Sequence, residues 1–146
     1  MRNAQQILDQ KSHRIISAPP TASVRDVISL MAEHNIAAVL IMKGNELAGI
    51  ITERDYTRKV ILLGRNSADT PVSDIMTSPV LCVSPGDTAQ RCMSLMTEKK
   101  IRHLPVIDNG EIIGMVSIGD LVKAVIEDQQ QEIQQLQQYI SGRTQP

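Results

Sequence analysis

The chain contains no tryptophan and no phenylalanine, and Tyr56 and Tyr139 are its only aromatic residues. Single-stranded nucleic acid is usually held by bases stacked on aromatic rings. That platform is missing, so any base bound here must lie against aliphatic side chains. A charge excess is missing too: 15 lysines and arginines face 16 aspartates and glutamates, for a net charge of −1. No chain-wide basic field remains to hold a phosphate backbone by counterion release, which disfavours nucleic acid as a partner. The two cysteines, Cys82 and Cys92, are too few for a disulfide framework and have no ligand spacing of a zinc site around them. Free thiols in a reducing compartment, and no metal, are the expectation. The longest apolar run, Ile36 to Met42, falls well short of the roughly 20 residues of a membrane helix. The start, MRNAQQILDQK, is too polar for a signal peptide. A cytoplasmic protein without membrane attachment is expected.

What the chain does have is 146 residues, 42% of them hydrophobic, enough for a core, and an internal repeat. An offset of 65 aligns Ile15–Ile61 with Val80–Ile126 without a gap, giving eleven identities in 47 positions. They include Pro20/Pro85, Met31/Met96, Ile36/Ile101, Gly49/Gly114 and Asp55/Asp120, and the hydrophobic pattern coincides at nearly every position. Even the approaches match, Ile7-Leu8 preceding one copy as Ile75-Met76 precedes the other. The organisation is therefore an N-terminal helical lead-in (1–14), repeat one (15–61), a connector (62–79), repeat two (80–126) and a C-terminal helical tail (127–146).

Each copy reads as β-α-β-β-α. Short apolar runs, Arg14–Ser17 and Val80–Val83, predict a first strand ending at a proline or polar break. Val24, Val27, Ile28 and Met31, and Ala89, Cys92, Met93 and Met96, fall at helical spacing. Ser23 with Asp26, and Asp87 with Gln90, are candidates to close the first turns. Ala37–Met42 and Leu104–Ile107 predict strands, followed by the turn signals Lys43-Gly44-Asn45 and Asp108-Asn109-Gly110 and by second strands, Glu46–Ile51 and Glu111–Val116. Helices then start near Glu53 and Ile118. A 47-residue copy can hardly close a core alone. The fold expected is mixed α+β, two β-α-β-β-α repeats packed about a pseudo-twofold axis with two equivalent clefts, plus a C-terminal helical extension.

The strand-to-helix junctions read Gly49-Ile50-Ile51-Thr52-Glu53-Arg54-Asp55 and Gly114-Met115-Val116-Ser117-Ile118-Gly119-Asp120. Thr52 and Ser117 are natural N-caps, and an acid three residues on suits the helix dipole. That purely structural role stands beside a functional one, in which Asp55 or Asp120 accepts two hydrogen bonds from a vicinal diol such as ribose. The adjacent hydroxyl and helix-start amides would take sugar or phosphate oxygens. Arg54, Arg58, Lys59, Arg102 and His103 are the candidate phosphate partners, with Lys99 and Lys100 nearby, and each is otherwise a solvated surface charge. Ile36, Ala37, Ala38, Ile101 and Leu104 could sandwich a purine, or simply be core.

With these motifs, and with Asp74-Ile75-Met76-Thr77 and His103-Leu104-Pro105-Val106-Ile107-Asp108-Asn109-Gly110, the chain resembles a tandem pair of CBS domains, the Bateman module, over nearly its whole length. The resemblance implies a regulatory module, not an enzyme, that binds adenine nucleotides or related adenosyl ligands between the repeats. It maps ribose and phosphate contacts to Thr52, Asp55, Ser117 and Asp120. AMP is the first expected ligand because its single phosphate suits the modest cation cluster; ADP, ATP, NAD(H) and S-adenosylmethionine follow. The copies differ at Leu40/Pro105, Ala37-Ala38/Arg102-His103 and Arg54/Gly119, so the two clefts need not be equivalent. Past Asp120 the last helix should continue through Val122, Ile126, Ile133, Leu136 and Ile140, a short heptad-like seam among glutamines. That seam, and the family's habit of dimerising, make a homodimer acting on a target protein the expectation. The alternatives are a constitutive assembly adaptor working through the C-terminal helix and a nucleotide hydrolase using Asp55 or Asp120 as base. Against the hydrolase, the chain shows no Walker loop, GxGxxG or HExxH.

Overall fold

The structure, a computed structural model, describes residues 1–11 and 14–144. Its elements run α1 (Ala4–Asp9), β1 (Ser17–Ala18), α2 (Val24–His34), β2 (Ala38–Lys43), β3 (Glu46–Thr52), α3 (Glu53–Tyr56), α4 (Ala89–Lys99), β4 (His103–Asp108), β5 (Glu111–Ser117) and α5 (Ile118–Thr144). A π-helical turn at Thr57–Ile61 prolongs α3, and a 3-10 turn spans Val72–Asp74. The chain divides into two compact units. One is the continuous stretch Arg14–Leu81; the other joins Met1–His13 to Cys82–Pro146.

Helical spacing places α2 and α4 where the apolar residues demand. Val24, Val27 and Met31 are buried in one unit, and Ala89, Cys92 and Met96 in the other. Ser23 caps α2 by accepting from the Asp26 amide at 3.1 Å. The expected cap at Asp87 is corrected: Thr88 caps α4, accepting from the Arg91 amide at 3.0 Å, while the Asp87 carboxylate turns back to the Ser84 amide at 2.7 Å. Thr88 is the repeat partner of Ser23, so the hydroxyl rather than the acid keeps the capping position in both copies. Both helices end on a left-handed residue, Asn35 (φ 52°) and Lys100 (φ 56°).

β2 and β3 pair antiparallel, as do β4 and β5, and both hairpins carry an irregularity at the same place, after Ile41 and after Val106. Asn109 (φ 51°) and Gly110 (φ 81°) make the second turn left-handed at both central residues, the geometry that suits a two-residue hairpin. The copies diverge at their first strand. In the Arg14–Leu81 unit β1 runs parallel to β2, and the Leu40 amide donates to the Ile16 carbonyl at 3.3 Å. In the other unit the expected strand at Val80–Val83 shrinks to a single bridge, Val83 with Val106. Leu40 is replaced there by Pro105, which has no amide to donate, so the ladder loses one rung.

Each unit is completed by a segment that precedes the other copy. In one, the Ala4 amide donates to the Asp87 carbonyl (2.8 Å) and the Ala89 amide to the Arg2 carbonyl (2.9 Å). In the other, the Val72 amide donates to the Ala22 carbonyl (2.8 Å) and the Val24 amide to the Thr70 carbonyl (2.9 Å). Ile7 and Leu8 of α1 are buried with Cys92, Leu104, Val116 and Leu121, while Val72 and Ile75 are buried with Val27, Ile41 and Ile51. Glycine makes room for these insertions. A Cβ on Gly114 would lie 2.7 Å from a Leu8 methyl, and one on Gly49 would lie 2.5 Å from the Met76 sulfur. Arg2 fastens the N-terminal segment further, pairing with Glu127 (2.8 Å) and Asp128 (3.1 Å).

α5 is a single helix that keeps Leu121 and Ala124 in the core and then leaves it. Ile126, Ile133, Leu136, Tyr139 and Ile140 are all exposed along it. No helix among the described residues is long and apolar enough to cross a membrane.

Candidate functional site

Each antiparallel hairpin delivers a hydroxyl residue to the end of its second strand, where a helix begins. In the Arg14–Leu81 unit Thr52 caps α3: its Oγ1 accepts from the Asp55 amide at 3.3 Å, and Asp55 Oδ2 in return accepts from the Thr52 amide at 2.9 Å and hydroxyl at 3.1 Å. The second oxygen is also occupied. Oδ1 accepts from the Thr77 hydroxyl at 3.2 Å and pairs with Lys59 at 3.1 Å, and Lys59 also donates to the Ile75 carbonyl at 3.0 Å. Asp55 is buried, at 8% exposure, with both carboxylate oxygens committed inside its own unit.

The equivalent junction is built the same way but left partly open. The Asp120 amide donates to Ser117 Oγ at 3.2 Å, and Asp120 Oδ2 accepts from the Ser117 amide at 2.9 Å. Lys11, arriving from the N-terminal segment, donates to the same Oδ2 at 2.7 Å and to the Met115 carbonyl at 3.1 Å. Oδ1 accepts no hydrogen bond from the described residues, and 24% of the side chain remains accessible. Burial pushes the Asp120 carboxyl up, but the hydrogen bond and positive charge of Lys11, with the Ser117 amide, more than offset it and hold the group below the ordinary carboxylate range.

The other sequence candidates flank these junctions. β2 and β3 bring Ala38 opposite Thr52, and the Ala37 carbonyl accepts from the Glu53 amide at 3.1 Å. β4 and β5 bring His103 opposite Ser117, and the Arg102 carbonyl accepts from the Ile118 amide at 2.9 Å. Ile36, Ala37 and Ile101 are half-buried at the approaches to β2 and β4, whereas Ala38 and Leu104 are wholly buried. Arg102 is exposed and His103 half-buried beside Ser117; Arg54 and Arg58 are exposed, and Lys59 is engaged with Asp55. Each unit thus gathers a capping hydroxyl, an acid, a short aliphatic approach and nearby cations, with Thr77 a second hydroxyl in the Arg14–Leu81 unit. Cys82 and Cys92 are thiols outside any disulfide, burial raises the pKa of each, and the described residues contain no cluster of metal-ligating side chains.

Sequence reading missed Lys11 and Thr77. Thr77 stands in the Asp74-Ile75-Met76-Thr77 motif, and that motif is the signal in the sequence that points to it. Lys11 lies in a polar stretch with no periodicity, and only the docking of α1 brings it to Asp120. An open depression of about 580 Å³ follows the outer face of α5, lined by Val122, Lys123, Ile126 and Gln130 among others. It lies along the helix and Asp120 is not among its lining residues, whereas the polar groups converge at the strand-to-helix junction.

The model of the CBS domain matches residues 7–61 and again 72–127. The mitochondrial CBS domain-containing protein CBSX3 of Arabidopsis thaliana is 48% identical over 125 residues, 82% of this chain; the chain spans 61% of that relative's length. The solved structure of a protein with CBS domains from Burkholderia ambifaria MC40-6 superposes with a TM-score of 0.85 at 49% identity, covering 87% of this chain and 96% of that one. A CBS domain protein from Pyrobaculum aerophilum, solved in complex with AMP, shares the fold at a TM-score of 0.72 and 24% identity, covering 81% of this chain and 88% of that one.

Proposed function

Because this chain belongs to the CBS-domain family and carries two copies of the domain, we propose that it is a regulatory module that binds an adenosine nucleotide, with AMP as the first ligand, and does no chemistry on it. The observation that carries this reading is the half-engaged carboxylate of Asp120. One oxygen is anchored, which fixes the side chain, and the other is open to accept from a ribose hydroxyl. Ser117 supplies a hydroxyl at the same helix start, Arg102 and His103 stand beside it for a phosphate, and Ile101 offers an aliphatic surface for the base. Support from outside the chain is the AMP complex of the Pyrobaculum aerophilum protein. Thr52 and Asp55 form the matching junction, where a diol must first displace Thr77 or Lys59 from the acid, so this junction fills second. ADP, ATP, NAD(H) and S-adenosylmethionine are the competing ligands. A ligand that favours one conformation of the module shifts the population toward it, and a target protein reads the shift.

Thermal melting in the presence of AMP tests the reading. At 100 times its Kd a ligand adds about 2.7 kcal/mol, and a saturable rise in Tm that Asp120→Asn removes is the expected result. An unchanged Tm over millimolar AMP rejects it.

The exposed face of α5 favours a further step, self-association into a homodimer. Val122, Ile126, Ile133, Leu136 and Ile140 form a stripe that is at least two-fifths exposed at every position. Its flanks are mostly glutamine, so two identical stripes meet without charge repulsion. Light scattering checks this: the full chain should be dimeric and a chain ending at Glu127 monomeric. The adaptor alternative keeps this association and drops the ligand, so it predicts loss of assembly on truncation with no Tm response to AMP.

A further inference from the structure

The Asp120 carboxylate is already half neutralised by a lysine that comes from the opposite end of the chain. Lys11 follows α1, whose Leu8 fills the space left by Gly114 and whose neighbour Arg2 pairs with Glu127 and Asp128. The ammonium group is therefore delivered to the junction by packing, and it reaches both Asp120 Oδ2 at 2.7 Å and the Met115 carbonyl at 3.1 Å. Its side chain is 37% exposed, so solvent and ligand can reach it. We propose that Lys11 sets the ligand class of this junction, selecting adenosine that carries a phosphate over adenosine that is uncharged or cationic. This rests on the reading of Asp120 as a ribose acceptor.

Two adjacent hydroxyls are best received by both oxygens of one carboxylate. Oδ1 is open, but Oδ2 already serves Lys11 and the Ser117 amide, so the second hydroxyl competes with the ammonium. A lysine displaced from a half-buried carboxylate loses a charge-assisted hydrogen bond and needs another anion. A phosphate on the same ligand supplies one within the swing of a flexible four-carbon stem. Uncharged adenosine supplies none, and a sulfonium ligand brings a second positive charge toward the ammonium. Lys59 does not play the same part at Asp55, because there both acid oxygens are already committed.

Isothermal titration of the full chain with AMP and with adenosine tests this, using Lys11→Gln, Lys11→Arg and Asp120→Asn, each checked for an unchanged circular dichroism spectrum. The wild type should prefer AMP over adenosine by about tenfold or more, the scale of one charge-assisted contact. Lys11→Gln should cut that preference at least about threefold by weakening AMP while adenosine binds as before or more tightly, leaving only what Arg102 and His103 contribute. Lys11→Arg should keep the preference. If Lys11→Gln retains the wild-type ratio while Asp120→Asn binds neither compound, Lys11 is not the selector and the ribose reading stands. If the wild type binds neither compound, or Asp120→Asn binds both normally, the ribose reading falls and this inference with it.

Discussion

The two acids that match across the repeat should behave oppositely when each is changed to its amide. In Asp55→Asn, one amide oxygen must replace two carboxylate oxygens that together accept from the Thr52 amide and hydroxyl, the Thr77 hydroxyl and Lys59. The amide oxygen will face Thr52, whose backbone N–H cannot turn away, leaving the NH2 group against the Lys59 ammonium, two donors in contact. Losing the ion pair to a part-exposed lysine costs up to about 1 kcal/mol. Exchanging charge-assisted for neutral hydrogen bonds in a buried cap costs roughly another 1–2 kcal/mol. In Asp120→Asn, the amide oxygen takes the Oδ2 place and still accepts from Ser117 and Lys11, while the NH2 points where Oδ1 was open. That change costs about 1 kcal/mol or less. At roughly 2–4 °C per kcal/mol for a protein near this size, calorimetry without ligand should show Asp55→Asn lower by about 2–12 °C and Asp120→Asn by no more than about 4 °C. With AMP the order reverses: the Asp55 variant keeps most of its ligand-induced rise and the Asp120 variant loses it. Equal losses without ligand, or a ligand response lost only in Asp55→Asn, would refute the division of labour between the two junctions.

Acid titration gives a second check. The Asp120 carboxyl is held below its unfolded value, so its contribution to stability is complete above the ordinary carboxylate pKa of about 3.9 and is lost as pH falls through the folded value. The Tm gap between wild type and Asp120→Asn should be constant near neutrality and close progressively below about pH 4; a gap that widens on acidification contradicts the sign. Leu8→Ala should cost about 2–5 kcal/mol as a wholly buried large-to-small change, and Gly114→Ala about 1–3 kcal/mol through overpacking. Because the new methyl of Gly114→Ala sits where the Leu8 methyls were, the double variant should cost less than the sum by at least about 0.5 kcal/mol, measured by urea unfolding. Simple additivity would mean that the two residues do not share that space.

Much of this was legible from local rules. The periodicity of Val24, Val27 and Met31 marks α2, and Asn109-Gly110 marks the turn between β4 and β5. Thr52 and Asp55 announced their reciprocal cap because the interaction spans three residues. What stayed hidden depends on long-range docking. Nothing around Lys11 signals that it will reach Asp120, since its placement follows from Leu8 meeting Gly114 across most of the chain. The loss of a first strand in the second copy was written in Pro105, but its effect appears only once the parallel neighbour is known to need that amide. The different openness of Asp55 and Asp120 was equally unreadable, because Thr77 and Lys11 lie outside the aligned copies.

The discontinuous unit also fixes an order of events during synthesis. Helix α1 leaves the ribosome well ahead of its seat at Gly114, which is translated more than a hundred residues later. Arg14–Leu81 meanwhile has its whole complement of partners and can condense as soon as it emerges. Throughout that interval Ile7 and Leu8 stay uncovered, and closing so large a loop delays their burial further. A ribosome stalled within the second half therefore releases a nascent chain with one finished unit and an uncovered apolar helix ahead of it, the form that chaperones and proteases would meet first.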